Sequence, residues 1–283
     1  MVNKGVKFVI AVNGGIGNQL FHLSNAFSFY KKYNGKVILN LRGCDSANTP
    51  GGSWHLKEFE KYLKRNFHMK INRSRNEIES SILKFKEFYM NLDYPKNFDV
   101  EEIFLRTRKF ESNIFIPTLE NREIAKYALK NNFKKFLIER RNELITAGKL
   151  VFSRENDAVA IHFRRLNNDT STFNIESWYL KIGWYLKAIK YLGFKPSKIY
   201  CFTNSIEDGE HLRKFIPNLI VIGTELSPLH TVFSISMFKN QILSRSSLSF
   251  WAGAISNPSC VISALKEKEN FSPLIKFRYL PAE

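Results

Sequence analysis

The stretch Phe8-Val9-Ile10-Ala11-Val12-Asn13-Gly14-Gly15-Ile16-Gly17-Asn18-Gln19-Leu20-Phe21 decides how the first half of the chain folds. A β-branched apolar run leads into three glycines within four residues. Leu20, Phe21, Leu23, Phe27 and Tyr30 then recur at helical spacing, which predicts strand, tight loop and a helix over about 18–33. Glycine permits positive φ and lets a ligand approach the main chain closely. A helix starting just after such a loop turns free N–H groups and a positive dipole end toward whatever sits there, which suits an anion or a sugar hydroxyl. The loop is no P-loop, because no Lys-Ser or Lys-Thr follows its last glycine. Leu20 also stands where a dinucleotide fingerprint has its third glycine. Asn18 and Gln19, at the helix start, can either cap the helix or hydrogen-bond a ligand.

Working outward, a second strand at 36–41 completes a β-α-β unit and so implies a parallel sheet. From about 55 to 150 the sequence turns charged, aromatic and helix-like. Residues 124–145 have helical periodicity and a basic face, read as a solvated helix packed on the sheet, whereas 66–112 carry little periodicity. A second α/β series opens at 158–163, with a helix over about 176–193 and a strand at 198–202. It continues with a helix near 206–215, strands at 219–222 and 241–244 around a helix near 230–239, a helix from about 248, and a strand at 260–262. Such alternation predicts a doubly wound sheet with ligands beyond the carboxyl ends of its strands. The expected architecture is α/β with two Rossmann-like domains facing a central cleft. They would cover 1–155, with a helical insertion at about 55–150, and 156–283.

A chain of 283 residues that is 44% hydrophobic can bury one or two cores without disulfides. Cys44, Cys201 and Cys260 are odd in number and far apart, with no metal-ligand spacing, and the latter two lie in apolar runs as small buried hydrophobes. That usage suits a reducing compartment. No charged leader with a signal-length apolar segment and no membrane-length run occurs, so the expectation is a cytoplasmic protein at most peripheral to a membrane. The formal charge of +17 has three readings: a solvated lysine-rich surface, nucleic-acid binding, or work on anionic small molecules beside an anionic leaflet. No zinc finger, RNP-like or basic-zipper pattern supports nucleic acid, and the motifs favour the third.

Two later segments carry chemistry. His162-Phe163-Arg164-Arg165-Leu166-Asn167-Asn168-Asp169 leaves a strand at its carboxyl end. Arginine there offers a planar fork of donors that suits a diphosphate, although twin arginines also serve as surface or salt-bridge residues. Ser244-Arg245-Ser246-Ser247-Leu248-Ser249-Phe250-Trp251 is a hydroxyl-rich turn entering an aromatic helix. Its serines can cap that helix or hydrogen-bond phosphate oxygens.

Together with Gly14 to Phe21, these segments resemble glycosyltransferase family 11, the α-1,2-fucosyltransferases, and more loosely the wider fucosyltransferase superfamily. The family's Gly-Gly-Leu-Gly-Asn-Gln-Met-Phe is matched at 14–21, its His-x-Arg-Arg-x-Asp at His162, Arg164 and Arg165, and its Asn-Ser-Ser-Phe-Ser-Trp-Trp near 245–251, in order over nearly the whole chain. The resemblance implies a GT-B fold, GDP-fucose as donor, a glycan acceptor (lipid-linked in bacterial O-antigen or capsule synthesis), inversion at the anomeric carbon, and no metal cofactor. It also implies that the first domain takes the acceptor and the second the nucleotide sugar.

By position, Arg164 would contact the donor β-phosphate, with His162 and Arg165 orienting or supporting it. Asn204, Ser246, Ser247 and Ser249 would lie at the donor, and Gly15, Gly17, Asn18 and Gln19 on the cleft wall toward the acceptor. For a general base the acidic residues nearest the motifs are Asp169, Glu176, Glu207 and Asp208, with Asp169 placed first, and an oxocarbenium-like route with little demand for a base stays open. The sequence departs from the family at Asn167, at Thr203-Asn204-Ser205, at Thr231 and at Arg245, where acidic groups or asparagine would stand.

Overall fold

A computed structural model describes residues 7–12, 14–33, 36–41, 44, 53–72, 114–116, 128–153, 155–164, 180–264 and 278–281. The chain divides into two compact units, Met1–Phe136 and Leu137–Glu283.

In the first unit, β1 (Lys7–Ala11), α1 (Ile16–Tyr33) and β2 (Lys36–Asn40) form the expected β-α-β unit. β3 (Lys70–Asn72) and β4 (Ile114–Ile116) complete a parallel sheet in the order β3-β2-β1-β4, with Lys7 opposite Lys36 and Phe8 opposite Ile114. These two strands lie within the stretch of about 55–150 that the sequence marks as a helical insertion. Each is three residues long, too short for alternation to register as a period. A short 3₁₀ turn, Lys57–Phe59, feeds α2 (Glu60–Phe67), which the left-handed His68 ends at φ 49°.

Helix α1 is not half-exposed. Every residue from Gln19 to Phe29 is buried, polar Gln19, His22, Ser24, Asn25 and Ser28 included. Ser24 and Ser28 satisfy themselves by donating to the carbonyls of Phe21 (2.8 Å) and Ser24 (2.9 Å). Phe27 meets Phe67 and Phe133 at centroid distances of 5.3 Å each, and Phe136 stacks on Tyr62 at 5.0 Å. Ring contacts of this kind add to area burial in this aromatic-rich core.

A wide helical turn, Leu129–Phe133, leads into α3 (Lys134–Thr146). Residues 124–127 of the anticipated basic helix lie outside the described residues. Of the arginines on α3, Arg140 pairs with Glu143 at 2.7 Å and Arg141 donates to Ser236 Oγ at 3.1 Å.

The second unit holds β5 (Val159–Phe163), α4 (Ile182–Tyr191), β6 (Ile199–Thr203), α5 (Ile206–Arg213) and β7 (Leu219–Ile222). They are followed by α6 (Pro228–Ser236), β8 (Asn240–Leu243), α7 (Ser247–Ile255), β9 (Cys260–Ser263) and β10 (Arg278–Tyr279). The six strands are parallel in the order β10-β9-β8-β5-β6-β7. Read from the other edge this is the 3-2-1-4-5-6 order of a doubly wound sheet.

Central β5 is buried at all five positions, as a parallel strand covered on both faces must be. Val159, Ile161 and Phe163 pack with Trp184, Tyr185, Ala188, Ile242 and Ile262. Ser205, Ser227 and Ser246 cap α5, α6 and α7, each accepting from a backbone N–H three residues on. Cys44, Cys201 and Cys260 are free and buried, the latter two in agreement with their reading as small hydrophobes. Burial pushes the Cys201 thiol up to about 12.

Candidate functional site

A doubly wound sheet opens a crevice where consecutive strands leave in opposite directions from the centre, at their carboxyl ends. In the second unit that point lies between β5 and β8, with His162 in register with Leu243. Beyond it emerge Arg164 from β5 and Ser244 to Ser247 from β8. In the first unit the equivalent point lies between β1 and β4, and the glycine loop emerges there. Both stretches singled out in the sequence therefore occupy the crevice position of their own sheet.

The second-unit crevice is organised by a buried polar cluster. Ser249 Oγ and Ser244 Oγ are hydrogen-bonded to His162 Nδ1 at 2.7 and 2.8 Å, and Ser246 Oγ lies 3.4 Å away. Ser244 and Ser249 also bond each other at 3.1 Å, while Ser246 Oγ accepts the Ser249 N–H at 3.1 Å. Tyr185 donates its hydroxyl to the His162 carbonyl at 3.4 Å and packs edge-on against Phe163. Burial first, and the nearby Arg164 charge second, hold the imidazole down to about 3, so it is neutral at any physiological pH.

The effect is to lock the start of α7 to the end of β5. Ser244 completes this cluster; as the residue following β8 it carried no sequence signal of its own. Ser249, expected at the donor end, is fully buried and turned inward onto His162. A hydroxyl two residues past the helix start, inside an apolar run, is carried to the inner face of the turn. Ser247 is half-buried at the first position of α7. Arg164 is exposed. Arg165 and Asp169 lie outside the described residues.

Next along the sheet, Asn204 is exposed at the carboxyl end of β6. Its neighbours close on each other: Thr203 Oγ1 accepts the Ser205 N–H at 3.2 Å and lies 3.1 Å from the Ser205 carbonyl. Arg245 donates Nε to the Ala264 carbonyl at 3.2 Å, which ties the exit of β8 to that of β9.

In the first unit, Gly14 is the glycine the turn requires. Its φ is +69°, and a Cβ there would stand 2.8 Å from the Asn18 amide nitrogen. Gly15 is half-buried with open space where a Cβ would point, Gly17 is buried in the first turn of α1, and Asn18 is half-buried against Gly14. Gln19 departs from the expected cleft-wall role. It is fully buried and donates Nε2 to the carbonyls of Gly14 (2.8 Å) and Ser53 (2.7 Å), while its Oε1 accepts the His55 N–H at 2.9 Å.

This amide is a buried clip between the loop and residues 53–55, with both of its N–H groups spent on main-chain carbonyls. Gln19→Ala removes three hydrogen bonds to the partly buried Gly14 carbonyl and His55 N–H and to the Ser53 carbonyl, for an expected loss of about 1 kcal/mol, read by urea unfolding. Among the described residues, no group of three or more His, Cys, Asp or Glu could hold a metal ion, and no helix is long and apolar enough to cross a membrane.

Two parallel sheets, one per unit, each placing a motif at its strand-order reversal, define a GT-B-type α/β protein. No protein family and no curated protein matches the chain by sequence. Among solved structures it is similar to NodZ α-1,6-fucosyltransferase soaked with GDP-fucose, at a TM-score of 0.51 and 13% identity over 88% of this chain and 92% of that one. NodZ is known from Bradyrhizobium. POFUT1 in complex with GDP-fucose aligns at a TM-score of 0.48 and 9% identity, over 99% of this chain and 98% of that one. E. coli ADP-heptose LPS heptosyltransferase II aligns at 0.47 and 11%, over 97% and 90% of the two chains. The NodZ likeness shows the fold.

Proposed function

We propose that this protein is an inverting glycosyltransferase that moves fucose from GDP-fucose to a glycan hydroxyl. The observation that carries the reading is an exposed Arg164 leaving β5 at the sheet reversal, beside a turn that His162 locks to the start of α7. Departure of GDP breaks the bond from the sugar's anomeric carbon to a β-phosphate oxygen, while the acceptor oxygen forms the new bond from the opposite face. Negative charge then grows on the β-phosphate. A guanidinium and the N–H groups at a helix start, held in place beforehand, stabilise that charge without a metal. Asp169 is the carboxylate proposed to take the acceptor proton. The fold likeness to NodZ, an α-1,6-fucosyltransferase soaked with GDP-fucose, and the three ordered motifs support the donor.

The finer parts of the proposal are an α-1,2 linkage to galactose, a lipid-linked acceptor in O-antigen or capsule synthesis, and a cytoplasmic site of action beside the inner membrane. The self-bonded Thr203–Ser205 turn, in place of acidic residues, favours a second reading in which another nucleotide sugar is the donor. A panel of GDP- and UDP-sugars in thermal unfolding separates the two. Ligand at about 100 times its Kd stabilises by about 2.7 kcal/mol. The expected result is a rise with GDP-fucose, followed by GDP release when a galactoside is added. A rise only with a different sugar nucleotide selects the second reading, and no response to any sinks both.

A further inference from the structure

The amino edge of the second sheet, opposite the crevice, carries a feature the transferase reading does not use. Helices α4 and α5 run antiparallel to the strands they join, so both end at that edge. There, large hydrophobic side chains stand in solvent: Tyr191 is 50% exposed, Phe194 38% and Phe215 51%. Lys187, Lys190 and Tyr191 follow the i, i+3, i+4 spacing of one face of α4, and Phe194 follows just past the helix end, after the turn at Gly193. Lys195 and Lys214 are exposed beside these aromatics.

From Lys181 to Lys198 the chain has five lysines and no acidic residue. Among the described residues, the acids that reach this edge are held in ion pairs or hydrogen bonds. Glu155 pairs with Lys198 at 2.8 Å, Asp157 accepts from Ser197, and Glu210 pairs with Arg213 at 3.0 Å. Lys190, Lys195 and Lys214 stand outside those pairs, ringing three aromatics.

We infer that this edge docks on an anionic lipid bilayer. Aromatic side chains with an apolar body settle at the headgroup level, and lysines around them are drawn to a negative surface potential. Duplex nucleic acid would use the lysines but leave the aromatics in water, so the combination selects a bilayer. The surface lies at the end of the sheet away from Arg164, and a docked molecule keeps its crevice open. The basic stretch on α3 is less suited to that role, because Arg140 and Arg141 are engaged within the protein.

The test is co-sedimentation of the full chain with vesicles of phosphatidylglycerol and phosphatidylcholine, at low ionic strength, and it does not depend on the donor assignment. Wild type should bind, and should release in about 0.5 M salt or on pure phosphatidylcholine. Lys190→Glu, Lys195→Glu and Lys214→Glu together should lower partitioning by about 100-fold. Tyr191→Ser, Phe194→Ser and Phe215→Ser should lower it by about tenfold. Lys130→Gln with Lys135→Gln should leave it within twofold, and every variant should keep its unfolding temperature. Wild-type protein that stays in the supernatant, a lysine variant that binds within threefold of wild type, or a short DNA duplex that strips the protein from vesicles would overturn the inference. Should the aromatic variant fail to fold, the lysine variant decides.

Discussion

Arg164→Ala is expected to lower the transfer rate by roughly 10²- to 10³-fold, about 3–4 kcal/mol of barrier, with the fold unchanged. The size follows from where the charge acts. A donor that meets the β-phosphate only as negative charge accumulates there contributes to the transition state more than to binding, so kcat should fall more than KM rises. Arg164 is exposed, and substitution of such a residue seldom costs more than about 0.5 kcal/mol of stability. Thermal unfolding of the variant should therefore match wild type.

Arg164→Lys distinguishes charge from geometry, because a point-like ammonium cannot reproduce a planar two-pronged contact. Partial recovery assigns the effect to charge, and none assigns it to the fork. Steady-state kinetics with GDP-fucose decide, and an Arg164→Ala enzyme that turns over as wild type would remove Arg164 from the chemistry. The neutrality of His162 strengthens the expectation. With an uncharged imidazole two residues away, Arg164 is the positive group among the described residues of that strand end.

How much of this could be read from residues alone differs from element to element. The β1-loop-α1-β2 unit and the alternation after residue 158 were legible, because β-branched runs and helical spacing repeat long enough to make a period. β3, β4 and β10 were not, at three, three and two residues. The three motifs announced themselves by composition, and the sheets carry 14–15, 164 and 244–247 to strand-order reversals. What composition could not give was the direction of single side chains. Gln19 is spent on Ser53 and His55, 34 and 36 residues further on, and Ser249 on His162, 87 residues back. Residue type fixes what an amide or hydroxyl can bond, while its partner is chosen by long-range packing. Asn18, adjacent in sequence and similar in chemistry, is half-buried against Gly14.

Acidification should weaken each unit through one buried histidine. Burial holds His22 in α1 down to about 4, and His162 in β5 down to about 3, both from an ordinary value of 6.5. The unfolded chain takes up a proton at each as pH drops below about 6.5, and the folded protein does not. The folded state is therefore fully stable above that pH and loses up to about 1.4 kcal/mol per pH unit per histidine below it. The loss comes to about 2 kcal/mol from each by pH 5 and about 3 by pH 4, a large share of what a domain has to lose. His55, also lowered by burial, shifts in the same direction.

Urea unfolding at a series of pH values measures this directly. Since His22 and His162 lie in different units, two transitions would move separately. Replacing His22 with a non-titrating residue should flatten the pH dependence of the first unit only. For His162, Asn keeps a hydrogen-bonding nitrogen near the serines but carries no proton equilibrium. His162→Asn should start lower in stability at neutral pH, from poorer packing in the serine cluster, and then lose less on acidification than wild type. Wild-type stability that is level between pH 7 and 5 would mean that the two imidazoles gain protons in place. The burial that fixes the β5–α7 junction would then be looser than the 2.7 and 2.8 Å bonds to His162 require.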